Sequence, residues 1–168
     1  YSGLNGNSPW TWERVVEDLD FFEEWYTENS NEFISRGHKF SNHRKYESLR
    51  HDANRSIPDA VRSYADLIGE YGNHKSFFDA AIHSSANDTK AAFDIVYDKL
   101  SGVVSFGRTT KFDYLCMISN LQLADIVAGK GYIAESNGPL AGAKLLLGGT
   151  IDKNTLASLC GDIATHIG

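Results

Sequence analysis

The stretch Gly107-Arg108-Thr109-Thr110-Lys111-Phe112-Asp113 has the pattern of a helix start that carries basic side chains. The first turn of a helix has unsatisfied backbone N–H groups and a partial positive charge. Because the glycine-led start places Arg108 and Lys111 beside these N–H groups, it favours an anion. The stretch therefore predicts a helix with a phosphate site at its beginning.

A second glycine-led helix start follows at residues 136–144, Ser-Asn-Gly-Pro-Leu-Ala-Gly-Ala-Lys. Asn137 or Gly138 can cap this helix, and Pro139 suits its first position. A glycine-bearing connection precedes it, so residues 107–148 predict a helix, a hairpin and a second helix. The alternative for this segment is ordinary helix packing through its small residues.

Apolar residues recur at helical spacing along most of the chain, and no alternating β-branched run competes with them. One helix is predicted from Ser8-Pro9 through Tyr26. The further predicted helices begin near Pro58, Ser76, Asn87-Asp88, Arg108, Pro139 and Asp152. We expect an all-α fold, a compact single-domain bundle of roughly seven or eight helices that spans residues 1–168.

The predicted helix from Gly107 places Arg108 on the same face as Phe112, Leu115 and Cys116. A guanidinium on the packed side needs a partner, because an unpaired buried charge is unfavourable. Two partners are open for Arg108. One is an acid of the N-terminal half, and the other is a phosphate or substrate group.

Length and composition point to one core: the chain has 168 residues, of which 42% are hydrophobic. No apolar run approaches the roughly 20 residues of a membrane span, and nothing resembles a signal peptide, so we expect a soluble, cytoplasmic protein. The chain begins with Tyr1 rather than Met, as a processed product or a domain of a longer protein would.

Cys116 and Cys160 are expected to be reduced core thiols. The six histidines lack metal-ligand spacing, so neither a metal nor another cofactor is predicted.

The net charge of −6 hides an uneven charge distribution. Residues 1–35 contain eight acids and one base, whereas residues 36–55 contain six Lys or Arg and two acids. Phosphate contacts are local, so a basic stripe that includes Arg44 and Lys45 can bind DNA despite the net negative charge. The alternative for this stripe is an ordinary solvated surface.

Three features together resemble the alpha-glutamyl/putrescinyl thymine pyrophosphorylase family: Gly107-Arg108 with an aromatic in the same turn, the Ser136–Pro139 loop, and Gly142 after it. That family is grouped with the helix-hairpin-helix DNA glycosylase superfamily and is associated with bacteriophages that carry hypermodified pyrimidines. The resemblance covers residues 107–148. It implies an all-α fold that holds DNA and presents one everted base to a pocket.

A weaker likeness to the glycosylase pattern includes Gly142-Ala143-Lys144 and then Asp152. In those enzymes a hairpin helix is followed by a catalytic Asp at the next helix start. The chain departs from the pattern in two places. Leu140 stands where the first hairpin glycine is expected, and fewer residues separate Lys144 from Asp152 than in those enzymes. A solvated lysine and a plain helix cap are the alternatives for these two residues.

The resemblance implies roles for particular residues. Tyr132, with Tyr114 and Phe106 as alternatives, would stack on a flipped base. The carboxylate beside the sugar would come from Asp113, Glu135 or Asp152. Arg108, Lys111 and Lys144 would hold phosphates. Further candidates for binding DNA are Asn137 and Gly138 at the second helix start, and Arg44 and Lys45 from the basic stripe.

Three functions remain open from the sequence. The first, which we expect, is a DNA glycosylase-like enzyme that excises a modified pyrimidine, as a defence against phage DNA. The second is a pyrophosphorylase-type transferase that replaces a pyrophosphate on a thymine methyl group with an amine. The third is a helix-hairpin-helix module that binds DNA without catalysis.

Overall fold

The computed structural model describes residues 10–37, 54–132, 137–148 and 152–167, and every regular element in these ranges is helical. The prediction of an all-α fold is therefore confirmed. In chain order the helices are α1 (Trp12–Glu17), α2 (Leu19–Ser35), α3 (Ile57–Gly69), α4 (His74–Ser84), α5 (Thr89–Lys99), a 3-10 turn (Leu100–Gly102), α6 (Arg108–Asn120), α7 (Asn137–Leu147) and α8 (Lys153–Ile167).

The single N-terminal helix predicted from the sequence is wrong, because the chain forms two helices there. Asp18 leaves the helical conformation, with φ −149° and ψ 85°, and its carboxylate accepts the N–H of Phe21 at 2.9 Å. Aspartate competes with helix continuation in this way because its short side chain can bond nearby backbone groups. Thr11 caps α1, while Ser8 and Pro9 lie outside the described residues.

Other helix starts follow from their caps. Ser56 and Asp59 form a capping box at the start of α3, and Asp88 caps α5 as predicted. Helix α4 begins at His74, before the predicted Ser76, because Asn73 accepts the Ser76 N–H at 2.9 Å. The predicted starts near Arg108 and Asp152 are confirmed.

The described residues fall into two compact units. In the first, made of residues 10–37, 54–70 and 102–105, aromatic side chains of α2 form the core: Phe22, Trp25, Tyr26 and Phe33. Arg62 of α3 bonds Asp20 and Glu23 of α2 at 2.7 and 2.9 Å. Arg62 therefore fixes α3 against α2.

The second unit contains α4 to α8. Its core lies where α5 packs against α4 and α6, and its most buried side chains are Phe77, Phe93, Val96, Tyr97, Leu100 and Leu115. Helix α7 packs against α8 through Ala143 and Leu156. The single domain over residues 1–168 and the helix-hairpin-helix core over residues 107–148 stay predictions. None of the described helices is both long and apolar enough to cross a membrane.

Candidate functional site

The start of α6 has the backbone arrangement that the sequence predicts. Gly107 is the N-cap in an extended conformation, and among the described residues no side chain caps the first amides. The first intrahelical bond runs from the Lys111 N–H to the Gly107 carbonyl at 3.0 Å. The preceding N–H groups at 108–110 are therefore available for an anion. The phosphate site itself stays a prediction.

Arg108 is half-buried at this helix start. Its Nη1 donates to the Gly131 carbonyl at 3.0 Å, and its Nη2 lies 3.4 Å from the Thr109 hydroxyl. Its Nε is buried and has no hydrogen-bond partner in the part of the chain that the structure describes. No carboxylate in the described part of the chain pairs with this guanidinium. Within the described ranges, Arg108 thus has no ion pair with an acid, which was one of its two alternatives.

The predicted orientation of α6 is wrong by about one residue. The buried positions are Lys111, Leu115 and Ile118, whereas Arg108 and Phe112 are only half-buried. Lys111 is the more deeply buried cation, with 7% of its surface exposed. The reason is packing: α6 turns Leu115, which is fully buried, toward the core, and Lys111 lies one turn earlier on the same face.

The Lys111 ammonium is held by neutral groups. Its Nζ lies 3.8 Å from the centroid of the Tyr97 ring and donates to the Ser101 hydroxyl at 2.8 Å. Attraction by an aromatic face partly replaces the water that burial removes. In the described residues no carboxylate forms an ion pair with Lys111. Its charge therefore contributes to a positive potential near the start of α6.

Tyr132 connects this region to α5. Its ring stacks on Tyr97, with centroids 3.6 Å apart and an angle of 11° between the planes. Its hydroxyl donates a short hydrogen bond to Oδ1 of Asp94. Burial, and then the Asp94 carboxylate, raise the pKa of Tyr132 well above its usual value. Tyr132 is only 7% exposed, and its ring lies 6.3 Å from those of Phe93 and Phe112, so the predicted stacking of a flipped base on Tyr132 would require these neighbours to move.

Asp94 is a functional candidate that sequence reasoning missed. Its Oδ1 accepts from Tyr132, and its Oδ2 accepts from the Lys130 ammonium at 2.9 Å. It lies in the middle of α5, a helix that the sequence indicates through its apolar face. An acid outside the first turn gains little from the helix dipole. This position was the signal in the sequence that could have marked Asp94 as a candidate.

The other predicted carboxylates occupy different places. Asp152 caps α8: it accepts the N–H groups of Asn154 and Thr155 at 2.9 and 3.1 Å. These bonds, together with the Thr155 hydroxyl, lower the pKa of Asp152. The plain-cap alternative accounts for all of its described contacts. Asp113 is exposed in the second turn of α6, and Glu135 lies outside the described residues.

The remaining predicted binding residues are not joined to this cluster by any described contact. Lys144 is half-buried on α7, Gly138 is exposed at the start of α7, and Asn137 is its first residue. Arg44 and Lys45 lie outside the described residues. The structure thus brings together Arg108, Lys111 and Tyr132 of the predicted set, and adds Asp94 and Lys130. We call these five residues the α5–α6 cluster.

Comparison with known families concerns the chain as a whole. The model of the alpha-glutamyl/putrescinyl thymine pyrophosphorylase family, clade 3, matches residues 1–164. The chain belongs to this family. The match is much longer than residues 107–148, which carry the resemblance in the sequence, and it includes both units. No curated protein and no solved structure matched the chain.

Membership in the pyrophosphorylase family changes the order of the three functions. The family is named for an enzyme of thymine modification, which agrees better with the transferase than with base excision. The match gives no support to a glycosylase activity, which we expected first. The α5–α6 cluster links two cations of the first turn of α6 to the Asp94 carboxylate through contacts with Gly131, Tyr97 and Tyr132.

Proposed function

We propose that the chain is a transferase that replaces a pyrophosphate on the methyl group of a thymine in DNA with an amine. In this reaction the amine nitrogen attacks the methylene carbon, and the bond from that carbon to the pyrophosphate oxygen breaks. Pyrophosphate leaves with the electron pair. The enzyme must therefore stabilise negative charge on a leaving group, and it must admit a base that has been turned out of the duplex.

One observation supports this proposal most: two cations lie in the first turn of α6, beside uncapped amides, without a described carboxylate to neutralise them. Arg108 donates to Gly131 and Thr109, and its guanidinium keeps further hydrogens that a phosphate oxygen can accept. Lys111 adds a point charge in surroundings of low polarity, where electrostatic interactions are stronger. A pyrophosphate is an anion of the charge and size that such a site favours.

The activity is tested with a DNA oligonucleotide that contains one pyrophosphorylated 5-hydroxymethyluracil and with an amine in solution. We expect mass spectrometry to show an intact strand in which the amine replaces pyrophosphate, with an equal amount of free pyrophosphate. Abasic sites that break in alkali would instead support the glycosylase. An unchanged strand on this and other modified DNAs would contradict both enzymatic functions and leave the DNA-binding module.

The anion site is tested by calorimetry with inorganic pyrophosphate. We expect Arg108→Gln to weaken binding by about tenfold or more, because a charge-assisted contact is lost. Lys75→Gln is the control, since Lys75 is exposed on α4, pairs with Asp79 and lies outside the proposed site. Equal affinities for the two variants would contradict the site.

Lys111→Met separates binding from stability. Methionine keeps the length of the side chain but removes a buried charge, so we expect the free energy of unfolding to stay the same or to rise. We expect pyrophosphate affinity to fall in the same variant. A loss of stability with unchanged affinity would show that Lys111 only supports the fold.

A further inference from the structure

Lys130 places an ammonium group against Asp94 and Tyr132. Its Nζ lies 2.9 Å from Oδ2 of Asp94 and 5.0 Å from the centroid of the Tyr132 ring. A carboxylate beside an aromatic face is a general arrangement for binding an ammonium ion. The cluster therefore contains an ammonium-binding position that a side chain of the protein occupies.

The carboxylate is held more firmly than the lysine. Asp94 lies on α5, and its Oδ1 is fixed by the hydroxyl of the buried Tyr132. Lys130 lies between Gly129 and Gly131 in a segment without regular structure. The two paired side chains are 54% and 40% exposed, and such ion pairs add little to stability. Another ammonium can therefore replace Lys130 while Asp94 and Tyr132 stay in place.

The ammonium position is next to the proposed anion site along the chain. Lys130 and Tyr132 flank Gly131, and the Gly131 carbonyl accepts the hydrogen bond from Arg108. A transferase has to bring an amine close to the carbon that carries the leaving pyrophosphate. Gly131, which contacts Arg108 of the proposed anion site, is thus the neighbour in sequence of both Lys130 and Tyr132.

We propose that Asp94 and the ring of Tyr132 form the subsite for the ammonium group of the incoming amine, and that Lys130 occupies this subsite when no amine is bound. This inference rests on the proposed transferase function. The bound primary ammonium releases one proton to water, and its nitrogen then forms the bond to the methylene carbon as pyrophosphate leaves. The product is a secondary ammonium, a cation that Asp94 can still hold. Asp94 is thus a binding residue that selects a cationic substrate.

The test compares two substitutions on the same ion pair. With putrescine as the amine, we expect Asp94→Asn to raise KM about tenfold or more and to change kcat less. We expect Lys130→Ala to lower KM, because it removes an internal competitor. Asp98→Asn is the control for the loss of one negative charge, since Asp98 is exposed one turn further on α5, and we expect its KM to equal that of the wild type.

The opposite directions distinguish a substrate site from a structural ion pair. If the pair only supported the fold, both substitutions would lower the melting temperature and would shift KM in the same direction. That result, or an unchanged KM in Asp94→Asn, would overturn the inference while leaving the transferase function standing.

Calorimetry without DNA decides the inference even if the wild type transfers no amine. Putrescine and glutamate are titrated separately into the wild type and the two variants. Binding of either amine that is weakened in Asp94→Asn and strengthened in Lys130→Ala supports the subsite and identifies which amine it takes. No binding of either amine, or the same affinity in all three proteins, overturns it.

Discussion

Tyr132 has a left-handed backbone conformation, with φ of +49°. For a bulky aromatic residue this conformation is unfavourable by about 1–2 kcal/mol. The stack on Tyr97 and the hydrogen bond to Asp94 offset this energy, and the same turn brings the Gly131 carbonyl to Arg108. One strained residue therefore links the proposed amine and anion sites.

The Tyr132 hydroxyl gives a prediction about pH. Because the pKa of Tyr132 is raised in the folded state above the ordinary 10.0, the protonated phenol stabilises the fold below pH 10. That contribution decreases as the pH rises above this value toward the folded pKa. We expect Tyr132→Phe to lower the free energy of unfolding by about 1–2 kcal/mol at neutral pH.

The measurement is urea unfolding of the wild type and Tyr132→Phe from about pH 7 to about pH 11. The difference between the two proteins should become smaller above pH 10, where the unfolded wild type gives up the phenolic proton. A difference that stays constant over the whole range would show that the bond to Asp94 is not its source.

At the scale of the elements, caps explain both a success and a failure of sequence reasoning. Asp88, the cap of α5, directly precedes the apolar pattern of this helix, so the start of α5 was predictable. Asp18 stands inside an apolar pattern that continues from α1 into α2, with Val15 and Phe22 buried in one cluster. Periodicity continues across Asp18 because both helices pack on the same core. The break is therefore hidden from a pattern of apolar residues.

The role of Asp152 as the cap of α8 can be tested by substitution. Asparagine is about as good a cap as aspartate, whereas alanine is a poor one. We expect Asp152→Asn to keep both the fold and the transfer activity, and Asp152→Ala to lower the melting temperature. Since the pKa of Asp152 is lowered in the fold, the carboxylate adds stability above its ordinary pKa and loses this effect as the pH falls.

Melting curves and transfer assays on the two Asp152 variants provide the check. Normal melting of Asp152→Asn with loss of transfer would assign Asp152 to the reaction, as the glycosylase likeness implies. Unchanged melting of Asp152→Ala would show that the cap adds nothing to the stability of α8.

At the scale of the whole chain, the net charge of −6 is opposite in sign to that of a DNA-binding surface. Arg108 and Lys111 give a local excess of positive charge at the proposed anion site, and the sequence of residues 36–55 gives a second one. A chain of this kind can bind DNA through restricted contacts, because phosphate contacts are screened beyond about 10 Å.

We therefore predict that the chain binds DNA with a salt-dependent affinity, and that Arg44 and Lys45 contribute to it. The logarithm of affinity should fall linearly with the logarithm of salt concentration, and the double variant Arg44→Gln, Lys45→Gln should reduce the slope by about 2. The slope is measured by fluorescence anisotropy of labelled DNA from about 50 to about 200 mM salt. Lys75→Gln is the control, since Lys75 pairs with Asp79. An unchanged slope in the double variant would show that this stripe is solvated surface.

The sequence by itself determined the all-α class and the start of α6, because helical periodicity and helix caps are local properties of the chain. It also pointed to Arg108 and Lys111, since basic residues at a glycine-led helix start suggest anion binding without reference to the rest of the fold, whereas Tyr132 followed from the family resemblance. Only the tertiary structure decided that Lys111 lies on Tyr97 and that Asp94 joins Tyr132 to Lys130. Asp94 lies between 36 and 38 residues from these partners along the chain, and such contacts depend on how helices pack rather than on any local pattern.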